Sequence, residues 1–596
     1  MRSRITLSIL IVLWQVLHLL GQPDTLIIGY GAHTGVSVMG SSSTPPGSPE
    51  NTLNQVGFLP NENAASRFLG QATIGYDYAD ISDVTQMGIE DWIENQLTMQ
   101  GSFAILTKIR QYHKIIKDST FNTSALVGNR PWDYAWWQYL MTSQDALRQR
   151  VALALSEMLV VSEISGFGSN AYALGTYYDI LLNNSFGNYR DILNDVTYRP
   201  AMGVYLTFLN NPKSNPAINQ FPDENYSREL MQLFTIGTVM LNNDGSVILG
   251  SNGTPVPSYD NEDIIEFSKI FTGLTWADRT TWNQGAANDT SYIPNMVMWN
   301  AYHEPGIKTL LNGFVVPNRN PINGNADITD ALNNLFNHTN TPPFVSRFLI
   351  QRMVTSNPSP AYINRVANVF INNGQGIRGD MKSIIRAILL DPEAKSCSSG
   401  ENVSYGMLRE PFIRYIQINK AFNAFTLSGN YRNDMNNVYL NTGQRPLTSP
   451  SVFNFFQQDY QPIGTVEEAG LVAPEFQITD AQTIAGFING LYRWVLNNDV
   501  ADEYDLFTGE VDAYYADEVS NIDVTPETVY TDNDKLHILM DRLNLLLAQG
   551  RVSNTSISTI IDVLKQFPNG TTTEKQDRTK LGIYLLMSSP EYLINR

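Results

Sequence analysis

The stretch SQDALRQRVALALSEMLVV, residues 143–161, decides the fold class. Leu147, Val151, Ala154, Leu155, Met158 and Leu159 recur at three- and four-residue spacing, which lines one face of a helix and packs it on a core. In the preceding segment, 131–141, Trp132, Trp136 and Trp137 are better explained by core packing than by stacking on a ligand. Outward from here the helical period recurs at 61–69 (Ala64, Ala65, Phe68, Leu69), 82–97, 171–184, 188–196, 223–236 and 261–271. It returns at 343–354, 362–372, 381–390, 480–497, 534–549, 556–566 and 580–588. Gly75 is suited to stopping the first helix, Asp260 to capping the helix at 261 and Gly273 to ending it.

The chain is therefore expected to be mainly α, a large multi-helix globular domain with a small β-hairpin and long irregular insertions. The hairpin falls in 238–256, where Val239-Met240-Leu241 and Val247-Ile248-Leu249 flank Asn242-Asn243-Asp244-Gly245. Residues 277–330 and 432–480 lack helical periodicity, and 498–531, acidic and rich in tyrosine, reads as an exposed insertion. Gly374-Gln375-Gly376 lacks a third glycine and a preceding strand, so it reads as a turn and not as a dinucleotide fingerprint.

Arg2 and Arg4 precede an apolar run from Ile5 to Leu20, broken by Thr6, Ser8, Gln15 and His18 and followed by Gly21. That layout is a secretory signal peptide over 1–22, since a span needs roughly 20 predominantly apolar residues. Residues 23–60, rich in Gly, Ser, Thr and Pro, read as a tether, and 61–596 as the helical domain. The expected location is outside the cytoplasm: periplasmic, cell-surface or extracellular. The 58 acidic residues against 39 basic give a net charge of −19, a field that repels phosphate backbones and excludes nucleic acid as a partner. The single cysteine, Cys397, cannot form an intramolecular disulfide, so stability has to come from packing.

Two places could carry chemistry. In 223–234 (DENYSRELMQLF), a helix would set Glu224 and Arg228 four residues apart as an ion pair and Asn225 and Glu229 as a second polar row. An amide and a carboxylate so placed can orient a water or hold a divalent cation, the cofactor this pattern admits. The competing reading is an arginine–carboxylate lattice that ties helices together. In 303–308 (HEPGIK), His303 offers a general base or a metal ligand, against the alternative of a hydrogen-bonded loop anchor. No His-Glu-x-x-His, Cys-x-x-Cys, Gly-x-Ser-x-Gly or phosphate-loop motif is present, so the metal is left unassigned. Arg409-Glu410-Pro411 reads as an ion pair at the start of a helix.

Several motifs together resemble a known family. AASRFLGQATIG (64–75), YDILLNNSFGNYRDILNDVTYRPAMGVY (178–205), DENYSRELMQLFTIG (223–237), FTGLTW (271–276), HEPGIKTLL (303–311) and LREP (408–411) are similar to the bacterial exported family catalogued as domain of unknown function 1800. The resemblance runs from about Asn61 to Arg596. It implies a helical, exported protein and, from the family's gene neighbourhoods, a co-exported sulfatase-like or phosphatase-like partner; it supplies no catalytic residues. Many relatives carry Trp-His-Asn-His-Phe soon after the arginine matching Arg150, where this chain reads Leu155-Ser156-Glu157-Met158-Leu159. Any metal site those histidines form in relatives is lost here or uses other ligands, and Met407 replaces the lysine that often precedes Arg-Glu-Pro.

Two functions follow as expectations. One is an exported, hydrolase-like enzyme in which Asn225, Glu229 and His303 converge on a cleft and Arg228 neutralises an anionic group. The other is a non-catalytic scaffold or binding subunit for the co-exported partner, using aromatic loops at 453–460 and 504–530. Carbohydrate binding, a third reading, has no motif behind it.

Overall fold

The computed structural model describes residues 62–596 except 102–103, 121–127, 129, 165, 167, 169, 397–401, 403, 434, 498–517 and 519. The signal peptide 1–22, the tether 23–60, Cys397 and most of the insertion 498–531 lie outside the described residues.

Helices dominate, and the only sheets among the described residues are three antiparallel strand pairs. The deciding segment forms the Ala146–Met158 helix, from Leu147 onward buried on every face. Trp132, Trp136 and Trp137 are all buried in the Arg130–Thr142 helix, the last two set edge-on to each other. Burying a ring of that size stabilises the fold by about 3 kcal/mol. One continuous set of packed apolar side chains runs from Ala65 to Tyr592, so the helices share a core.

Local signals place several boundaries. Asp260 caps the Asn261–Ile270 helix through a reciprocal capping box with Asp263, and Gly273 follows with φ +88°. Bridges between Val239 and Pro257, Leu241 and Val247, and Leu249 and Pro255 form the expected hairpin. Gly374 and Gly376 both take positive φ in the expected turn.

Other boundaries differ. The helix expected at 82–97 is two, Tyr78–Met87 and Ile89–Thr98, because Gly88 at φ 91° leaves helical geometry between them. Gly75 does not stop the first helix, which ends at Ala72; a Cβ at Gly75 would meet Gln417 and Lys420 at 3.2 Å, so close helix approach requires it. Within 277–330 the chain pairs Val297–Met298 with Leu274–Thr275 and Lys308–Leu310 with Phe314–Val316, then starts a helix at Gly324. Residues 432–480 include the Met435–Thr442 helix. No helix among the described residues is long and apolar enough to cross a membrane.

Candidate functional site

A helix buried on all sides carries its polar residues into the interior, where each needs a partner. On the Ala146–Met158 helix these include Arg150 and Glu157, seven residues and two turns apart, hence on one face. Arg150 donates to the main-chain oxygens of Gln71 and Arg352. From the Thr341–Met353 helix, the Arg352 Nε lies 3.4 Å from Glu157 Oε2 and its Nη1 3.8 Å from Glu475 Oε1. Phe348 and Phe456 cover the Arg352 guanidinium, with ring centroids at 4.9 and 4.4 Å.

Glu475 sits in the Pro474–Ile478 turn and Glu410 at the cap position of the Pro411–Ala421 helix, both fully buried; Glu157 is 4% exposed. Gln444 Nε2 donates to Glu410 Oε2 at 2.5 Å. Among the described residues, no N–H or hydroxyl group donates a hydrogen bond to the other Glu410 oxygen or to either oxygen of Glu157 and Glu475. Three carboxyl groups thus share the interior with two guanidinium groups. If all ionised, the set would hold one uncompensated negative charge, which one proton retained on a carboxyl group balances.

The titration follows this arithmetic. Burial pushes the Glu157 carboxyl well above the usual range, and the charge of Glu410 and a hydrogen bond with that carboxyl push the same way, against Arg352 and Arg150. Glu157 therefore retains its proton, with Glu410 beside it. Burial raises Glu475 to about 7, with Arg352 opposing it. Burial also pushes Arg150 down, while Glu410 and Glu157 hold it up.

Glu157 also faces space. A small cavity lined by Leu153, Ser156, Glu157, Phe412, Leu447 and Asn454 has about 10 Å³ for the centre of a water, room for one molecule. Two of its lining residues, Leu447 (φ 57°) and Asn454 (φ 64°), have left-handed backbone. Leucine rarely adopts that conformation, and such strain gathers at functional sites. The segment is tied to the chain after the helix by Glu163 N to Leu447 O (3.0 Å) and Ser162 Oγ to Ser449 O (2.7 Å). Beside it, Arg445 pairs with Asp133 and Glu163.

The sequence-predicted residues lie elsewhere. Glu229, on the Asn225–Gln232 helix, is 6% exposed; burial raises its carboxyl against the charge of Arg228, and its Oε2 is buried without a partner. Arg228 pairs with Glu224 at 3.2 Å on the surface, and Asn225 Nδ2 donates to Thr207 Oγ1 at 3.4 Å. His303 is fully buried: Nδ1 is 2.9 Å from the Thr272 main-chain oxygen and Nε2 is 3.1 Å from Asp327 Oδ2. Lys308 reaches the same carboxylate at 2.6 Å, and Arg319 bridges it to Asp330. Burial opposes ionisation of Asp327, but these bonds and charges hold its carboxyl below the usual range. Both ring nitrogens of His303 are occupied, and no hydrogen bond or ion pair among the described residues joins it to Asn225, Arg228 or Glu229.

Arg409 and Glu410 are not an ion pair. Arg409 donates to Gln417 Oε1 at 2.6 Å and Leu547 O at 2.7 Å, while Glu410 turns to Gln444 and Glu157. The signal that could have found the cluster is Arg150 with Glu157, two opposite charges two turns apart on one face of a helix whose apolar residues mark it for the core. Among the described residues, no group of three or more His, Cys, Asp or Glu side chains is arranged to hold a metal ion.

Residues 67–594 match the family described as Protein of unknown function (DUF1800). No curated protein and no solved structure matches.

Proposed function

The chain belongs to the DUF1800 family, and on that premise we propose that it is an exported acid–base catalyst of the hydrolase class, its working proton held by Glu157 beside Glu410. The observation that carries this reading is the buried carboxyl pair whose Glu157 member lines a water-sized cavity under strained backbone. A carboxyl group protonated at neutral pH is what a general acid needs, and desolvation is the means by which proteins keep it so. Glu157 gives its proton to the leaving oxygen of an ester or glycoside. Glu410, held by Gln444, keeps that proton on Glu157 until it is given, and Arg352 and Arg150 supply the charge that compensates the carboxylate left behind.

The test is turnover of chromogenic esters, phosphoesters, glycosides and peptides between pH 5 and 8 by wild type, Glu157→Gln and Glu410→Gln. Glutamine keeps the shape of the protonated acid but cannot transfer its proton, so each variant should fold normally and lose about 10²-fold or more in kcat. No turnover on any class by wild type, or full activity in folded Glu157→Gln, refutes the reading.

A second reading, a scaffold for a co-exported sulfatase-like or phosphatase-like partner, draws on one observation. Ile307, Phe314 and Val315 are exposed on or beside the two-stranded Lys308–Val316 hairpin, whose outer edges pair with no further strand among the described residues. Crosslinking from Phe314 in the native host tests it, and recovery of the chain alone counts against it. Export in either reading is tested by cell fractionation and N-terminal analysis of the mature protein.

A further inference from the structure

Four arginines gather where the Glu62–Ala72 helix, the paired strands Met407–Leu408 and Ile594–Asn595, and the end of the Leu536–Ala548 helix meet. Arg67 donates from Nε to the main-chain oxygen of Arg596 at 2.7 Å and stands over the Tyr405 ring. Arg409 follows the first strand, fixed by Leu547 O and Gln417 and covered by the Tyr592 ring at 4.8 Å. Arg596 follows the second strand. Left-handed Gln549 (φ 61°) and Gly550 (φ 76°) turn the chain back after the helix and bring in Arg551.

Arg67, Arg409 and Arg596 are at least nine-tenths buried, and Arg551 is partly exposed. Apart from burial, the strongest influences on Arg551 are the positive charges of Arg596, Arg409 and Arg67; together these hold it well below the usual arginine range. None of Arg67, Arg409 and Arg551 is ion-paired with an Asp or Glu side chain among the described residues. Asp391 and Glu393, which act on Tyr405, are engaged by Arg365 and Ser359. Arg67 Nη2 and Arg551 Nη1 are buried with no acceptor among the described residues.

Guanidinium groups do not relieve such crowding by deprotonating at neutral pH, and each unpaired buried cation costs several kcal/mol. Even if the Arg596 main-chain oxygen were counted as a full carboxylate, the three cations Arg67, Arg409 and Arg551 less one anion would leave two positive charges. We propose that these four arginines form a binding site for a multiply charged oxyanion of the phosphate or sulfate class, which enters beside Arg551. The fork of donors on each guanidinium matches the oxygens of such an ion. The site does not depend on the catalytic reading, although Arg409 and Glu410, adjacent in sequence, serve the two clusters separately.

The experiment uses the full chain dialysed into chloride buffer, titrated calorimetrically with inorganic phosphate at fixed ionic strength and followed by thermal midpoint. Wild type should bind at one saturable site and melt higher in phosphate than in matched chloride. Arg551→Ala should weaken binding at least tenfold and Arg551→Lys should recover part of it. In chloride, Arg551→Ala should melt above wild type because a like charge is gone; in phosphate the order should reverse. Sulfate in place of phosphate should behave alike. Phenyl phosphate binding with the same Arg551 dependence identifies an esterified ligand, and its exclusion identifies the free oxyanion. Phosphate and sulfate indistinguishable from chloride, or a midpoint order that ignores the anion, overturns the proposal.

Discussion

Glu475→Gln removes one of the three buried carboxyl groups and should remove a pH dependence with it. In the folded protein, burial lifts this carboxyl from its usual 4.5 to about 7. A difference of about 2.5 pH units at 1.36 kcal/mol each comes to about 3 kcal/mol. The folded state holds this proton more tightly than the unfolded chain, so the contribution is fully present below pH 4.5, falls as pH rises through the window to about 7 and is lost above it. Glutamine does not titrate, so the variant lacks that slope. It also weakens the Arg352 contact, which adds an offset without the same slope. The assay is urea unfolding followed by tryptophan fluorescence at pH 5, 6, 7 and 8, with midpoints compared at constant slope. Between pH 5 and 8, which covers about 2 of those pH units, wild type should lose about 2.5 kcal/mol more than the variant. Parallel curves would mean that Glu475 ionises with an ordinary affinity, and the charge balance drawn for Glu157, Glu410, Glu475, Arg150 and Arg352 would be wrong.

Asp327→Asn should destabilise the fold by about 3–5 kcal/mol, since it leaves Lys308 and Arg319 without the carboxylate between them; urea midpoints at pH 7 measure it. Because the Asp327 carboxyl is held below the usual range, its contribution is present above the unfolded-state pKa and lost as pH falls through the folded value, so the gap between wild type and Asp327→Asn should narrow in acid. Gly88→Ala should cost about 1–2 kcal/mol, because φ 91° is open to glycine and strained for alanine; thermal melting checks it. Trp137→Ala should cost about 3–5 kcal/mol through the cavity left beneath Trp136 and Trp494, read by urea unfolding.

The sequence determined what short-range physics controls. The apolar spacing of 143–161 was enough for a buried helix, Asp260 for a cap, and Asn242 to Gly245 for a hairpin turn, because each depends on neighbours within a few residues. It also contained two of the five charged groups of the cluster, Arg150 and Glu157 on one helical face, visible there as charges without a stated partner. Tertiary structure decided the rest. The carboxylate that engages His303 comes from Asp327, on a helix that begins after a stretch without periodicity. Glu410 and Glu475 reach Glu157 and Arg352 from distant parts of the chain. Arg409 and Glu410 are neighbours in sequence yet point into separate clusters. Backbone propensity falls off within a turn or two, whereas the ionisation of a buried group depends on every charge packed around it, and only the assembled core determines which charges those are.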